Sequence, residues 1–308
     1  MRWTAANIPD LSDRTYIVTG ANSGIGYEAA RILAARGARV VLACRTASKA
    51  RDALDGIRRA RADARAEFAA LDLASQKSVR AFVDEIARRF PEGVDGLVNN
   101  AGVMALPRQL TEDGFEMQLA TNHLGHFALT ALTLPLLVRR PRARVVSVSS
   151  GVHWVGRVRL DDLMGERRYA SWGAYAQSKL ANLLFTRELQ RRLAGRHPHV
   201  IATAAHPGYA ASNILTTSAR AWGDNALSTG TYALGNSLVA QSAVAGALPT
   251  VRALVDEAAR GDEFYGPSMW LWGAPTLASR SPAARDDAAA RALWEASERL
   301  TGARFEGL

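Results

Sequence analysis

Tyr175 and Lys179 stand four residues apart, in the run Tyr175-Ala176-Gln177-Ser178-Lys179. On a helix that spacing puts both side chains on one face, one turn apart. A free phenol titrates near pH ~10 and a free ammonium near ~10.4, so neither is a strong acid or base at neutrality. Beside a lysine that stays charged, the phenolate is stabilised and the phenol becomes a better proton donor. That suits a reaction passing one proton to or from a carbonyl oxygen. Taken alone the pair is an ordinary polar pair on a solvated helix, and its meaning depends on what the rest of the chain brings to it.

A second stretch with chemistry in its spacing is Thr19-Gly20-x-x-x-Gly24-x-Gly26, with Asn22, Ser23 and Ile25 inside it. The β-branched run Thr15 to Thr19 precedes it and a helical pattern, Tyr27 to Arg36, follows it. Strand, glycine-rich turn and helix together form a nucleotide-binding turn. Glycine permits a tight turn and close backbone approach, and the helix start offers N–H groups and a positive dipole end to a pyrophosphate. The spacing differs from the common G-x-G-x-x-G, and the plainer reading is a glycine-rich connection that holds no ligand. Dinucleotide folds read the ribose near the end of the second strand, where an acidic residue selects NAD. Here Cys44 and Arg45 occupy that place. An arginine fork can pair with a 2′-phosphate, so NADP(H) is expected over NAD(H), against the plainer reading of a surface arginine.

Elements that could position these groups follow in regular alternation. Strands are expected at 15–19, 39–43, 67–72, 96–100, 144–149 and 200–205. Helices are expected at 27–36, 46–65, 75–90, 114–138 and 174–193. Alternation of this kind predicts an α/β fold, a doubly wound parallel sheet with helices on both faces. After Pro207-Gly208 the pattern breaks into an Ala-, Ser-, Thr- and Gly-rich stretch, 213–245, containing Trp222, Tyr232 and Leu238. That stretch is expected to be a helical substrate lid. A helix at 247–260, a strand near 265–271 and a C-terminal helix over 281–300 complete the reading. No internal repeat or linker interrupts it, so residues 1–308 are read as one domain.

Bulk properties narrow the functions. The chain is 48% hydrophobic and 22% charged, ample for one large core. Its net charge of +9 comes almost wholly from arginine, since Lys49, Lys77 and Lys179 are the only lysines. The arginines are dispersed and do not interleave with aromatics as a nucleic-acid stacking platform needs, so no nucleic-acid partner is expected. Cys44 is the only cysteine, which rules out an internal disulfide and a cysteine-based metal site. No run approaches the ~20 apolar residues of a membrane span. A soluble, cytoplasmic protein without a metal is expected.

With Gly20-x-x-x-Gly24-x-Gly26, Asn99-Asn100-Ala101-Gly102, Asn122, Ser149-Ser150, Tyr175-x-x-x-Lys179 and Pro207-Gly208 in this order, the chain resembles a single-domain short-chain dehydrogenase/reductase with a Rossmann fold. The resemblance covers about residues 13 to 212. Ala43-Cys44-Arg45, Asn122-His123-Leu124-Gly125-His126-Phe127 and Ser178-Lys179-Leu180-Ala181-Asn182 resemble its retinol-dehydrogenase-like and WW-domain-oxidoreductase-like group. The resemblance implies that Tyr175 is the acid in reduction and the base in oxidation. Lys179 would bind the nicotinamide ribose and hold the tyrosine's pKa down. Ser150 would bond the substrate carbonyl, and Asn122 would hold a water linking Lys179 to solvent. Asp72, with Leu73 beside it, would accept from the adenine amine, while Asn99, Ala101 and Gly102 would line the adenine-ribose side. Pro207, Gly208 and Ser212 would border the nicotinamide amide, Ser212 standing where the family more often has threonine. The family is commonly dimeric or tetrameric, so a homo-oligomer is implied.

Strand alternation points Ser149 and Ser150 oppositely, and Ser150 is chosen on family position. The gap from Ser150 to Tyr175 is long and holds His153, Trp154, Tyr169 and Trp172, read either as packing or as a pocket wall. His197 and His199 read as a surface turn, His206 as packing behind the site, and His123 and His126 as interior hydrogen-bonders. Trp270-Leu271-Trp272 reads as core or subunit interface. The expected activity is hydride transfer between NADPH and a fairly apolar ketone or aldehyde, or the reverse from a secondary alcohol. The competing classes are an NAD-preferring alcohol dehydrogenase, a dinucleotide-binding redox sensor without turnover, and a nucleotide-sugar epimerase or dehydratase.

Overall fold

The structure is a computed structural model and describes residues 3–209 and 241–308. Four of the sequence-expected strands follow the same logic, a short apolar run whose neighbours alternate between two apolar faces. In β1 (Thr15–Thr19), Ile17 faces one core while Tyr16 and Val18 face the other. In β2 (Arg39–Cys44), Val41 and Ala43 share the side of Ile17, and Val40 and Leu42 the side of Val18. The same division holds for β4 (Gly96–Asn99) through Leu97 and Val98, and for β5 (Arg144–Val148) through Val145 and Val146.

These strands join β3 (Ala66–Ala70), β6 (Ile201–Ala205), β7 (Phe264–Pro267) and β8 (Pro275–Leu277) in one eight-stranded sheet, ordered 3-2-1-4-5-6-7-8. All pairings are parallel except β7 with β8. The α/β doubly wound sheet expected from the sequence is therefore present. The first core lies beneath α3 (Gln76–Arg89), α4 (Gly125–Leu137) and α5 (Ser171–Arg196), the second beneath α1 (Gly24–Ala35), α2 (Ala47–Ala60) and α6 (Ala243–Val255). Phe127 of α4 anchors the first, its ring 5.6 Å from Phe185 and 5.1 Å from Trp294 of α7 (Asp287–Thr301). Such edge contacts add about 1 kcal/mol each beyond the burial of the rings.

The strand order reverses at β1, which pairs with β2 on one side and β4 on the other. In open parallel sheets that switch point opens a crevice at the carboxyl ends of the strands.

Some expectations shift. The antiparallel β8 has no counterpart in the sequence reading, because it is only three residues long and its burial alternates weakly. The C-terminal helix is interrupted: a short 3-10 turn, Pro282–Arg285, precedes α7, and Asp286 caps the latter by accepting from Ala289 N–H at 2.9 Å. The helix before α4 starts at Met117 and widens into a π turn over Ala120–Leu124. Of the expected lid, residues 213–240 lie outside the described residues, with Trp222, Tyr232 and Leu238 among them. Residues 243–245 open α6, which Ser242 caps through a bond from Ala245 N–H. Among the described residues no helix is long and apolar enough to cross a membrane.

Candidate active site

A cleft of about 940 Å³ opens along the carboxyl ends of the strands. Its floor on one side is the turn between β1 and α1. Gly20 has φ +66°, a left-handed conformation that favours glycine. At Gly26 a Cβ would lie 2.4 Å from Asn100 Nδ2 and 2.6 Å from the Gly20 carbonyl oxygen. The helix can therefore start this close to the turn only without a side chain there. Asn22, Ser23, Gly24 and Ile25 complete this lining. Ser23 is the N-cap residue of α1, yet its hydroxyl makes no capping bond. Helix N-terminus, spare hydroxyl and glycine cradle together suit a pyrophosphate.

Next to it, Arg45, Asp72 and Leu73 line the cleft at the ends of β2 and β3. Arg45 is well exposed and stands 3.7 Å from Asp72. Thr46, Lys49 and Asp52 of the α2 entry also face the cleft, and sequence reasoning passed over them. Lys49 carries the chain's second nearby cation, a signal its rarity could have raised.

After β4 the chain supplies Ala101 and Gly102 to the cleft wall, but not Asn99. The buried Asn99 amide donates to Thr130 Oγ1 at 2.9 Å, on the core side of the sheet. Asn100 takes the lining position instead, because residues alternate along the strand. Its Nδ2 donates to the Thr19 carbonyl at 2.7 Å, while the Asn100 and Ala101 amides both donate to Thr19 Oγ1 at 2.9 Å. The glycine turn and the β4 turn are thus tied together by bonds between side chain and main chain.

At the other end of the cleft stand Ser150, Tyr175 and Lys179, with Pro207 and Gly208 beside them. Ser149 Oγ donates to the Lys179 carbonyl at 2.7 Å, so that hydroxyl is spent on the main chain of α5. Ser150 Oγ instead faces the cleft with Tyr175, accepting from Val152 N–H at 3.4 Å. The buried His153 steadies Ser150: its Nδ1–H donates to the Ser150 carbonyl at 2.7 Å, and its Nε2 accepts from Ser281 N–H at 3.2 Å. The expected depression of the phenol's pKa by Lys179 does not appear. Burial pushes Tyr175 up to about 12, offset in part by the neighbouring Ser150 hydroxyl. Burial also pushes Lys179 down to about 8. The ammonium donates to the Val148 carbonyl at 3.1 Å and lies 5.8 Å from the phenol ring centre, so desolvation dominates both groups.

Asn122 is fully buried in the π turn and does not line the cleft. Its side chain exchanges bonds with the Val103 backbone, at 2.8 Å to N–H and 2.9 Å to the carbonyl, and donates to Ser178 Oγ at 2.9 Å. A Cβ on Gly102 would lie 3.1 Å from Asn122 Oδ1 and 3.4 Å from Lys179 Nζ. The asparagine therefore holds the β4 turn against the lysine from behind. Ser212 lies outside the described residues.

Between the phenol and solvent the cleft is walled by Met104, Leu106, Met117, Val152 and the half-exposed Trp172. Trp172 stands edge-on to Tyr175, ring centres 6.1 Å apart. Of the other aromatics in the long gap, Tyr169 packs away from the cleft, donating to the Leu106 carbonyl at 2.8 Å, and Trp154 is exposed. His206 packs on Phe264, ring centres 5.1 Å apart, and no group of three or more metal-ligating side chains occurs among the described residues.

A dinucleotide cradle and a Ser-Tyr-Lys cluster at opposite ends of one cleft define a nicotinamide-dependent oxidoreductase site. Residues 14–222 match the short chain dehydrogenase family. Human retinol dehydrogenase 12 is 39% identical over 96% of this chain and 89% of its own length. Mouse retinol dehydrogenase 12 is 47% identical over 68% of this chain and 65% of its own. The crystal structure of an uncharacterised protein from Mycobacterium paratuberculosis is 43% identical, with a TM-score of 0.81 over 99% of both chains. A short chain dehydrogenase from Escherichia coli CFT073, solved as a complex with NADPH, is 25% identical, with a TM-score of 0.62 over 83% of this chain and 97% of that one. The chain belongs to the short-chain dehydrogenase family, in its retinol-dehydrogenase-like group, and is an NAD(P)-dependent oxidoreductase.

Proposed function

We propose that the chain transfers hydride between NADP(H) and an apolar ketone or aldehyde, or in reverse from a secondary alcohol. The observation that carries this is the convergence of Ser150, Tyr175 and Lys179 at one end of a cleft whose other end is the glycine cradle. The nicotinamide, when bound, supplies the hydride. The protein positions the carbonyl and supplies a proton. Tyr175, with its pKa near 12, remains protonated at neutral pH and is the donor to the carbonyl oxygen. Ser150 donates to the same oxygen as negative charge grows on it. Lys179 bonds the ribose and offers a charge beside the phenol. Asn122 serves both by fixing the β4 turn.

Arg45 and Lys49, at the cleft edge where the adenosine ribose is read, favour a 2′-phosphate. The NADPH-bound Escherichia coli relative supports the same choice. The wall of Met104, Leu106, Met117, Val152 and Trp172 favours an apolar substrate, and the relatives named for retinol point the same way. NADPH oxidation across a panel of apolar carbonyls tests the reading. Tyr175→Phe is expected to lower turnover by about a thousandfold while NADPH still binds. Intact turnover in that variant, or no turnover by the wild type with either cofactor, would overturn it.

A further inference from the structure

His126 is used by none of the roles above, yet it sits at the junction of everything that holds the cradle. It is fully buried on α4, one turn beyond Asn122, and it does not line the cleft. Its Nδ1 lies 3.0 Å from the Asn122 carbonyl oxygen, and its Nε2 lies 2.9 Å from Thr19 Oγ1. A carbonyl can only accept, so Nδ1 must carry the proton. Burial keeps the ring neutral, its pKa pushed down to about 3, with the nearby Lys179 charge working in the same direction. Nε2 is then a bare acceptor, and the hydrogen on the Thr19 hydroxyl must point at it. The other acceptor in reach, the Val98 carbonyl, is farther, at 3.2 Å. With its hydrogen so placed, the hydroxyl oxygen has its lone pairs free for the amides of Asn100 and Ala101.

The polarity of the whole chain of bonds is thereby fixed. Amides of the β4 turn donate to Thr19, Thr19 donates to His126, and His126 donates to Asn122. Asn122 in turn holds Val103, next to Gly102 and Lys179. We propose that His126 is a positioning residue for the cofactor: as the Nδ1-protonated tautomer it clamps the Asn122 carbonyl to the Thr19 hydroxyl, and so sets the spacing of the glycine turn, the β4 turn and Lys179. This rests on the reading of the cleft as a dinucleotide site.

Two measurements on the full chain test it. The first is the ¹⁵N chemical shifts of the His126 ring. A pyrrole-like Nδ1 and a pyridine-like Nε2 are expected, and the opposite assignment overturns the clamp. The second is NADPH affinity, followed by nicotinamide fluorescence, in His126→Phe, Thr19→Val and the double variant, with folding checked by circular dichroism. Each single variant is expected to weaken NADPH binding about tenfold, as for a buried polar group left without its partner. The double variant is expected to be no weaker than the worse single one, because both remove the same bond. His126→Asn, which keeps an N–H facing the Asn122 carbonyl, should recover part of the affinity. The KM for the carbonyl substrate should stay unchanged throughout.

A merely structural histidine would lower Tm and leave NADPH affinity alone. A folded His126→Phe that binds NADPH as the wild type does, or strictly additive losses in the double variant, overturns the proposal. A wild type that binds neither NADPH nor NADH instead overturns the reading of the cleft.

Discussion

The two ends of the cleft are built by different means. At the cradle end, the contacts run to main chain: Gly26 leaves no room for a Cβ beside the Gly20 carbonyl, and the Thr19 hydroxyl gathers two amides from the β4 turn. At the substrate end, side chains from separate loops meet: Met104 and Leu106 after β4, Val152 after β5, Trp172 at the start of α5. A main-chain contact dictates the residue, because only one side chain satisfies it. An apolar wall accepts any residue of suitable volume. The cradle should therefore be intolerant and general, and the wall tolerant and specific.

The sharpest way to break this contrast is Gly26→Ala. The new methyl would press on a backbone oxygen at 2.6 Å and on an Asn100 amide already anchored to Thr19. We expect about a hundredfold loss of NADPH affinity and a destabilisation of about 1–3 kcal/mol, read by fluorescence titration and by denaturant melts. Unchanged affinity would show that the cradle is looser than its geometry implies. Arg45→Asp comes next in size. It should lower kcat/KM with NADPH by about thirtyfold, the worth of a charge-assisted pair, and leave NADH use level or improved. If NADPH use does not change, the 2′-phosphate is read elsewhere, with Lys49 the first residue to test.

This contrast also explains what was legible in the sequence. The glycine spacing, the Tyr175-Lys179 pair and the strand periodicity all follow from local constraints, and each has its place in the fold. Asn99 was placed on the cleft and Asn100 was not chosen, because family position cannot say which face a residue takes once the strand ends. Asn122 was expected to face a water, whereas its side chain is consumed by Val103 and Ser178. The depression of the Tyr175 pKa failed because spacing says nothing of burial, and burial decides both pKa values here. The roles of Thr19 and His126 were invisible for a related reason. The bond between them spans 107 residues of sequence.

Lys179 belongs to both ends, which gives a pH test. Its pKa in the folded chain, about 8, lies below the ordinary 10.5. A buried ammonium must therefore be carried below pH about 8, and Lys179 adds to stability only as pH rises from there toward 10.5. Cofactor binding should follow the opposite course, because the ribose and the phosphates favour the charged form. NADPH affinity is expected to hold steady below pH about 8 and to fall up to about tenfold per unit above it. Tyr175 remains protonated across this range, so it adds no slope. Lys179→Met should bind weakly at every pH with a flat profile. A sloping profile in that variant would move the titration to another group.

The smallest expected effect lies on the wall, at Trp172. The ring is 55% exposed and stands edge-on to the phenol, 6.1 Å away. Its exposed face is apolar area that a bound substrate would cover, worth about 1–2 kcal/mol at the usual value per unit area. Trp172→Ala should raise the KM for a bulky apolar carbonyl by about tenfold. For a small carbonyl such as acetone, which cannot reach the ring, the change should be negligible. NADPH affinity should not move, since the ring lies beyond the cradle's contacts. Equal losses on both substrates would mean that the tryptophan acts through Tyr175, by orienting the phenol. The wall would then share the intolerance of the cradle, and the division between the two ends would fail at the residue nearest the chemistry.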